Sequence, residues 1–214
     1  MRVCDGVYRV EGRASNVYLL EAGPTLVDAG TPWDGERIRG LLTEAGVEAD
    51  DVERVLLTHY DIDHVGTLSS LGLDCPVYVA EPDAGYLAGT TRPPLGELKG
   101  LTQRLSGSFL DRPSLPIERV GDRQQVGGFV AHRTPGHTAG HLTWVAEAQG
   151  AAFVGDLVRS VGGRLEPAPW YISADSDGIR RSIARLRARE PAVEWLCPGH
   201  GPPISGGVNA LPSS

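Results

Sequence analysis

Short apolar stretches punctuated by glycine and proline fill the start of the chain, and helical periodicity enters only after them. "GVYRVEG", "SNVYLLEAG" and "TLVDAG" are β-branched or aromatic and bounded by turn residues, which predicts three strands in a meander. In "DGERIRGLLTEAG" the apolar positions Ile38, Leu41, Leu42 and Ala45 recur on one helical face, with Asp34 placed to cap the helix and Gly46 to stop it. "VERVLLTH" is an apolar run of strand length, hence a buried strand. It ends in a polar cluster from which "HVGTLSSLG" starts the next helix, and "PVYVAEP" closes a βαβ-like unit.

Residues 83–116 break this rhythm. Pro93, Pro94, Pro113 and Pro116 bracket one helical stretch, "LGELKGLTQRL", an insertion that fits a lid, a dimer contact or surface decoration. Strands resume with "GGFVAHRT", "HLTWVAEA" and "AAFVGDLV", the last two joined by a turn around Gly150. The helix "SDGIRRSIARLRARE" buries Ile179, Ile183 and Leu186, keeps its arginines on a solvated face and ends at Pro191, and "AVEWLCPG" is the final strand. Two runs of strands, each followed by helix, predict two packed sheets with helices outside. This is an α/β (α+β) fold, a four-layer αββα sandwich forming one domain over residues 1–205. The tail 206–214, "GGVNALPSS", reads as frayed.

Composition narrows the classes. With 214 residues, 41% hydrophobic and 22% charged, the chain suits one soluble globular domain. No apolar run approaches the ~20 residues of a membrane helix and the N-terminus has no apolar leader, so a cytoplasmic protein without a membrane partner is expected. Cys4, Cys75 and Cys197 form no C-x-x-C pair and read as small buried apolar residues, Cys197 as core and not as a nucleophile. A formal charge of −7 argues against nucleic acid, which demands clustered cations. One lysine, Lys99, stands against nineteen arginines, a skew that reads as genomic composition.

The chemistry gathers at four strand ends: "THYDIDH" (His59, Asp61, Asp63, His64), "TPGHT" (His137), "VGD" (Asp156) and "CPGH" (His200). Loops at one end of a layered sheet share a cleft, so these residues converge despite their separation in sequence. Imidazole and carboxylate are ligands for zinc and also for iron or manganese. Alternation puts His59, Asp61 and Asp63 on one side of an extended segment and His64 on the other, so one loop can serve two neighbouring ions, with Asp156 between them.

Taken together, "LVDAG", "THYDIDHVG", "TPGHTAGH", "FVGD" and "CPGHGP" resemble the metallo-β-lactamase superfamily, over nearly the whole chain. The resemblance implies the αββα fold and a mono- or dinuclear centre: one ion on His59, Asp61 and His137, the other on Asp63, His64 and His200, Asp156 bridging, and Asp28 as a buried group behind the ligands. The family's usual loop is H-x-H-x-D-H, and Asp61 replaces its second histidine, as an acidic residue does in flavodiiron proteins of the same superfamily. That makes the site harder and more anionic: two divalent ions are expected, zinc first, with iron or manganese brought forward by Asp61.

Around this set, His141 is placed to hydrogen-bond a ligand or to stabilise the turn after His137, and His132 reads as a surface or half-buried histidine. Tyr60, Trp170, Tyr171 and Arg159 are candidates for contact with a small-molecule substrate, while the aromatics, Trp33 among them, equally suit packing. The resulting expectation is a hydrolase in which a bridging hydroxide, oriented by Asp63 and assisted by Tyr171, attacks an ester-type bond. The glyoxalase II-like branch points to a thioester or lactone. The alternatives are a persulfide-dioxygenase-like iron enzyme on His59, His137 and Asp156, and a metal-binding protein of weak activity. A homodimer is compatible with the insertion.

Overall fold

Every residue of the strand Asn16–Leu20 is buried, and its two faces enter different cores. Val17 and Leu19 join one apolar cluster, Tyr18 and Leu20 another, as the two-residue period of a strand covered on both sides requires. In the computed structural model, which describes residues 1–212, this strand is β3 of a seven-stranded sheet. The sheet runs in sequence order: β1 (Arg2–Cys4), β2 (Val7–Glu11), β3, β4 (Thr25–Val27), β5 (Arg54–Leu56), β6 (Val77–Val79) and β7 (Ile117–Arg119). Its first four strands are antiparallel and its last four parallel. The parallel connections contain α1 (Gly35–Glu44), α2 (Ile62–Val65), α3 (Asp83–Ala88) and α4 (Leu98–Gly107).

The second sheet is built from β8 (Gln125–Val126), β9 (Phe129–Arg133), β10 (Leu142–Ala146) and β11 (Ala151–Gly155). A separate hairpin, β12 (Val158–Val161) with β13 (Arg164–Pro167), and helix α5 (Ser176–Arg189) precede its last strands, β14 (Trp195–Pro198) and β15 (Ile204–Ser205). Three apolar clusters separate the layers. One holds Ile38, Leu41 and Leu42 of α1 against the first sheet; one lies between the sheets around Phe129, Trp144 and Phe153; the third packs Ile179, Ile183 and Leu186 of α5 on the second sheet. Three interlayer cores mean four layers, helix, sheet, sheet, helix. No helix among the described residues is long and apolar enough to cross a membrane.

Several expectations are corrected. A strand, β1, precedes the three expected at the start. Asp34 stands at the N-terminus of α1 but does not cap it: its carboxylate turns back to accept from Thr31 N–H and Oγ1 (2.8 and 2.6 Å) and from Arg13 N–H (2.9 Å). "AAFVGDLV" is two strands, because Gly155 adopts φ +48° and turns Asp156 out of the ladder. Cys4 is half-buried, not buried. His132 is buried, with Nε2 2.8 Å from Glu190 at the end of α5, which covers a strand face expected to meet solvent.

The tail is docked, not frayed, as far as Pro212; Ser213 and Ser214 lie outside the described residues. A short 3-10 turn, Gly207–Ala210, buries Val208 and, just after it, Leu211, and the Arg187 guanidinium donates to the carbonyls of Val208, Leu211 and Pro212 (3.3, 2.6 and 3.0 Å). Truncation after Ser205 is expected to lower unfolding free energy by about 3 kcal/mol, the scale of two buried aliphatic side chains. Urea unfolding of the truncated chain reads this directly, and an unchanged midpoint would show that the docking contributes nothing.

Candidate metal centre

The four motif loops meet at the carboxyl ends of β5, β9, β11 and β14. Ligand atoms of His59, Asp61 and His137 lie within 4.8 Å of one another, as do those of Asp63, His64 and His200, and those of His59, His64 and Asp156. Extended alternation holds for His59 and Asp61 but fails at Asp63, because the chain turns into α2 at Ile62 and carries Asp63 to the other set. The Asp156 carboxylate reaches both sets, 3.4 Å from His64 Nε2, 3.1 Å from His200 Nε2 and 3.5 Å from His137 Nε2.

Each histidine is held by its Nδ1, which leaves Nε2 facing the centre. His64 Nδ1 donates to Asp28 (2.8 Å), His200 Nδ1 to the Ala14 carbonyl (2.9 Å), His59 Nδ1 lies 2.9 Å from Thr58 Oγ1, and His137 Nδ1 3.4 Å from Ser173 Oγ. Such bonds fix ring orientation and tautomer, as a metal-binding imidazole needs. Asp28 does more than hold His64. From a left-handed backbone (φ +62°) it also accepts from Thr58 N–H and Oγ1, tying the end of β4 to the loop that carries His59. Asp28→Ala is expected to weaken metal binding about 10–100-fold. Competition with a chromophoric chelator would read it, and unchanged affinity would remove Asp28 from the centre.

The residues fit a metal ion on two observations. His59 Nε2, His64 Nε2 and Asp156 Oδ1 are buried with no hydrogen-bond partner, an arrangement costly to leave unmet. The Asp156 carboxylate also stands 3.4 Å from His64 Nε2 and 3.5 Å from His137 Nε2, and donor atoms ~2.0–2.2 Å from a tetrahedral ion stand about 3.3–3.6 Å apart. Gly199 is needed beside them, as a Cβ there would come within 2.4 Å of Asp156 Oδ1. Burial and the neighbouring His64 push the His59 pKa down to about 4, so at pH 7 its lone pair is free. Around His64 burial is outweighed by Asp28, Asp63 and Asp156, which hold it well above the usual histidine range. That carboxylate field draws cations to the spot.

His141 is not among the converging ligand atoms. Its Nδ1 meets Thr134 Oγ1 at 2.9 Å and its Nε2 accepts the Asp156 N–H at 3.1 Å, so it positions the backbone of Asp156. The predicted substrate contacts fall elsewhere. Tyr60 packs in the core against Tyr86 (centroids 6.0 Å apart) and lines a cavity of about 370 Å³ that is separate from the metal cleft. Arg159 pairs with Glu166 across the β12–β13 hairpin. Trp170 and Tyr171 are 76% and 53% exposed on a 3-10 turn that aims the next residue, Ile172, at the cleft instead.

Three residues were not anticipated. Asp83, buried at the start of α3, accepts from Tyr60 N–H (2.9 Å) and Thr138 Oγ1 (2.8 Å) and so links the loops of His59 and His137; burial raises its pKa to about 6. Lys99 and Gln103 project from α4 into the cleft of about 310 Å³ over the centre, and both bond Asp61. Helix α4 is inverted: this polar face is covered, while Leu98, Leu101 and Leu105 are 61%, 40% and 62% exposed. The one available signal was Lys99 itself, the single lysine in the sequence.

Known proteins are similar to this chain. "Probable metallo-hydrolase YflN" of Bacillus subtilis is 27% identical over 94% of this chain and 86% of its own length. A hydroxyacylglutathione hydrolase of Alkalilimnicola ehrlichii is 31% identical over 79% of this chain, which spans 54% of that enzyme. The solved structure of TTHA1623 in a di-iron-bound form superposes with a TM-score of 0.71 at 29% identity, covering 96% of this chain and 98% of that one. A family model describing the metallo-beta-lactamase superfamily matches residues 10–200, the span from β2 to the last histidine of the centre. With the four-layer fold and the His/Asp strand-end loops in place, the chain belongs to the metallo-beta-lactamase superfamily.

Proposed function

We propose that the protein is a metal-dependent hydrolase acting on an ester-type bond of a small molecule, a thioester or lactone. The observation that carries the reading is the convergence of four Nδ1-anchored histidines with Asp63 and Asp156 at the floor of an open cleft. A divalent ion there polarises a carbonyl oxygen and acidifies water. Asp63 is the carboxylate placed to orient water or take a proton: its Oδ2 lies 3.7 Å from His200 Nε2, and it is partly open to the cleft. Ile172 supplies an apolar wall, and Thr102 and Ser106 line the same cleft from α4. A metallo-hydrolase among the relatives, and a glutathione-thioester hydrolase matched over about half its length, support the reaction class without carrying over glutathione.

For the metal, the carboxylate oxygens of Asp63 and Asp156 and the di-iron-bound form of a similar structure support iron or manganese alongside zinc. Elemental analysis of protein purified without chelator or nickel, followed by thioester, lactone and phosphodiester panels, tests both parts. Metal-dependent turnover of a thioester or lactone is expected. A loaded protein that oxidises persulfide and hydrolyses none of these would replace the hydrolase with the dioxygenase.

A further inference from the structure

The lone lysine of the chain is buried, 6% exposed, in the one place where a second cation is expected. Lys99 reaches from α4 between the loop of Asp61 and the loop of His137. Its ammonium donates to Asp61 Oδ2 and, over 2.7 Å, to His137 Nε2. One turn on, Gln103 Nε2 donates to Asp61 Oδ1 (3.1 Å) and to the Tyr60 carbonyl (2.6 Å). One helix therefore occupies both oxygens of Asp61.

Those atoms are the ones through which Asp61 and His137 would hold an ion with His59. The one lone pair of His137 Nε2, engaged by an ammonium hydrogen, cannot also bond a metal, and a divalent ion beside the ammonium would face a like charge at hydrogen-bond range in a buried site. We propose that the Lys99 ammonium takes the place of the first metal ion, so that the centre holds one resident divalent ion, on Asp63, His64, His200 and Asp156, with Asp61 as the counter-ion of Lys99.

The departure at position 61 and the single lysine then become one feature. A histidine at 61 would leave the ammonium without a carboxylate. Asp61 without the ammonium would add an unpaired negative charge to a pocket that already holds Asp28, Asp63 and Asp156. Lysine suits the role where arginine would not, because a compact ammonium on a flexible stem replaces a small ion and a planar guanidinium does not. This inference rests on the metal-centre reading and is independent of the substrate.

The test is to titrate metal-free protein with Mn(II), count bound ions by equilibrium dialysis and elemental analysis, and record electron paramagnetic resonance on the same samples. Wild type is expected to bind one ion per chain with the signal of an isolated ion. Lys99→Met is expected to bind two, with the signal of an exchange-coupled pair, and thermal melts establish that it is folded. Two ions in wild type, or one in folded Lys99→Met, overturns the proposal. Should Lys99→Met fail to fold, the double variant Lys99→Met/Asp61→His decides in its place, with two ions expected and one overturning it. No ion bound by any of these proteins would overturn the metal-centre reading itself.

Discussion

Asp156→Ala is expected to strip metal from the centre and to lower hydrolysis by about 10³-fold or more. Losing several kcal/mol of charge stabilisation corresponds to that factor, at about 1.4 kcal/mol per tenfold. Among the described residues, Asp156 is the carboxylate that faces His64, His137 and His200 together. Burial opposes its charge, but these histidines hold its carboxyl well below the usual range, so it is an anion at neutral pH. Its backbone is held separately by His141, so the side chain can be removed without freeing the loop. Metal content and kcat are measured on the same preparation. Retention of both would remove Asp156 from the metal site.

Trp144→Ala is expected to cost about 3–5 kcal/mol of stability, the range for deleting a large buried aromatic. Trp144 lies wholly buried on β10, opposite Ala131 of β9 and Phe153 of β11, and fills the space between the two sheets. Its indole Nε1–H donates to the Leu57 carbonyl at 2.9 Å, two residues before His59. The same side chain therefore packs the core and ties one sheet to the start of the metal loop on the other. Trp144→Phe should recover much of the packing yet leave that carbonyl unmet, for a residual loss of about 1–3 kcal/mol. Denaturant unfolding reads both variants, and a loss below about 1 kcal/mol for Trp144→Ala would show that the sheets do not depend on this contact.

How much of this could be read from residue order alone varies by residue. β3, α1 and α5 are legible because burial repeats with the period of the element: Val17 and Leu19 against Tyr18 and Leu20, then Ile179, Ile183 and Leu186 at helical spacing. The hairpin β12–β13 is not, since the break is one positive φ at Gly155 and the apolar residues on either side of Gly155 and Asp156 read as a single strand. The docked tail is missed because Gly-, Pro- and Ser-rich ends usually fray, and only the approach of Arg187 from α5 supplies donors for its carbonyls.

The centre divides in the same way. His59, Asp61, Asp63, His64, His137, Asp156 and His200 stand out because ligand chemistry admits few residue types and strand ends deliver them to one edge of the sheets. Tyr171 and Arg159 do not line the cleft, because nearness in sequence to a motif does not set the direction of a side chain; a single 3-10 turn brings Ile172 inward in place of Tyr171. Residue order by itself determined the layered fold and the chemical identity of the candidate ligands, both of which follow from local periodicity and from which atoms can bind a cation. The tertiary structure alone decided that α4 turns its polar face down and sets Lys99 on Asp61, thirty-eight positions away. A helix with one polar and one apolar face looks the same in sequence whichever face is covered, and only the polar cleft beneath it selects which.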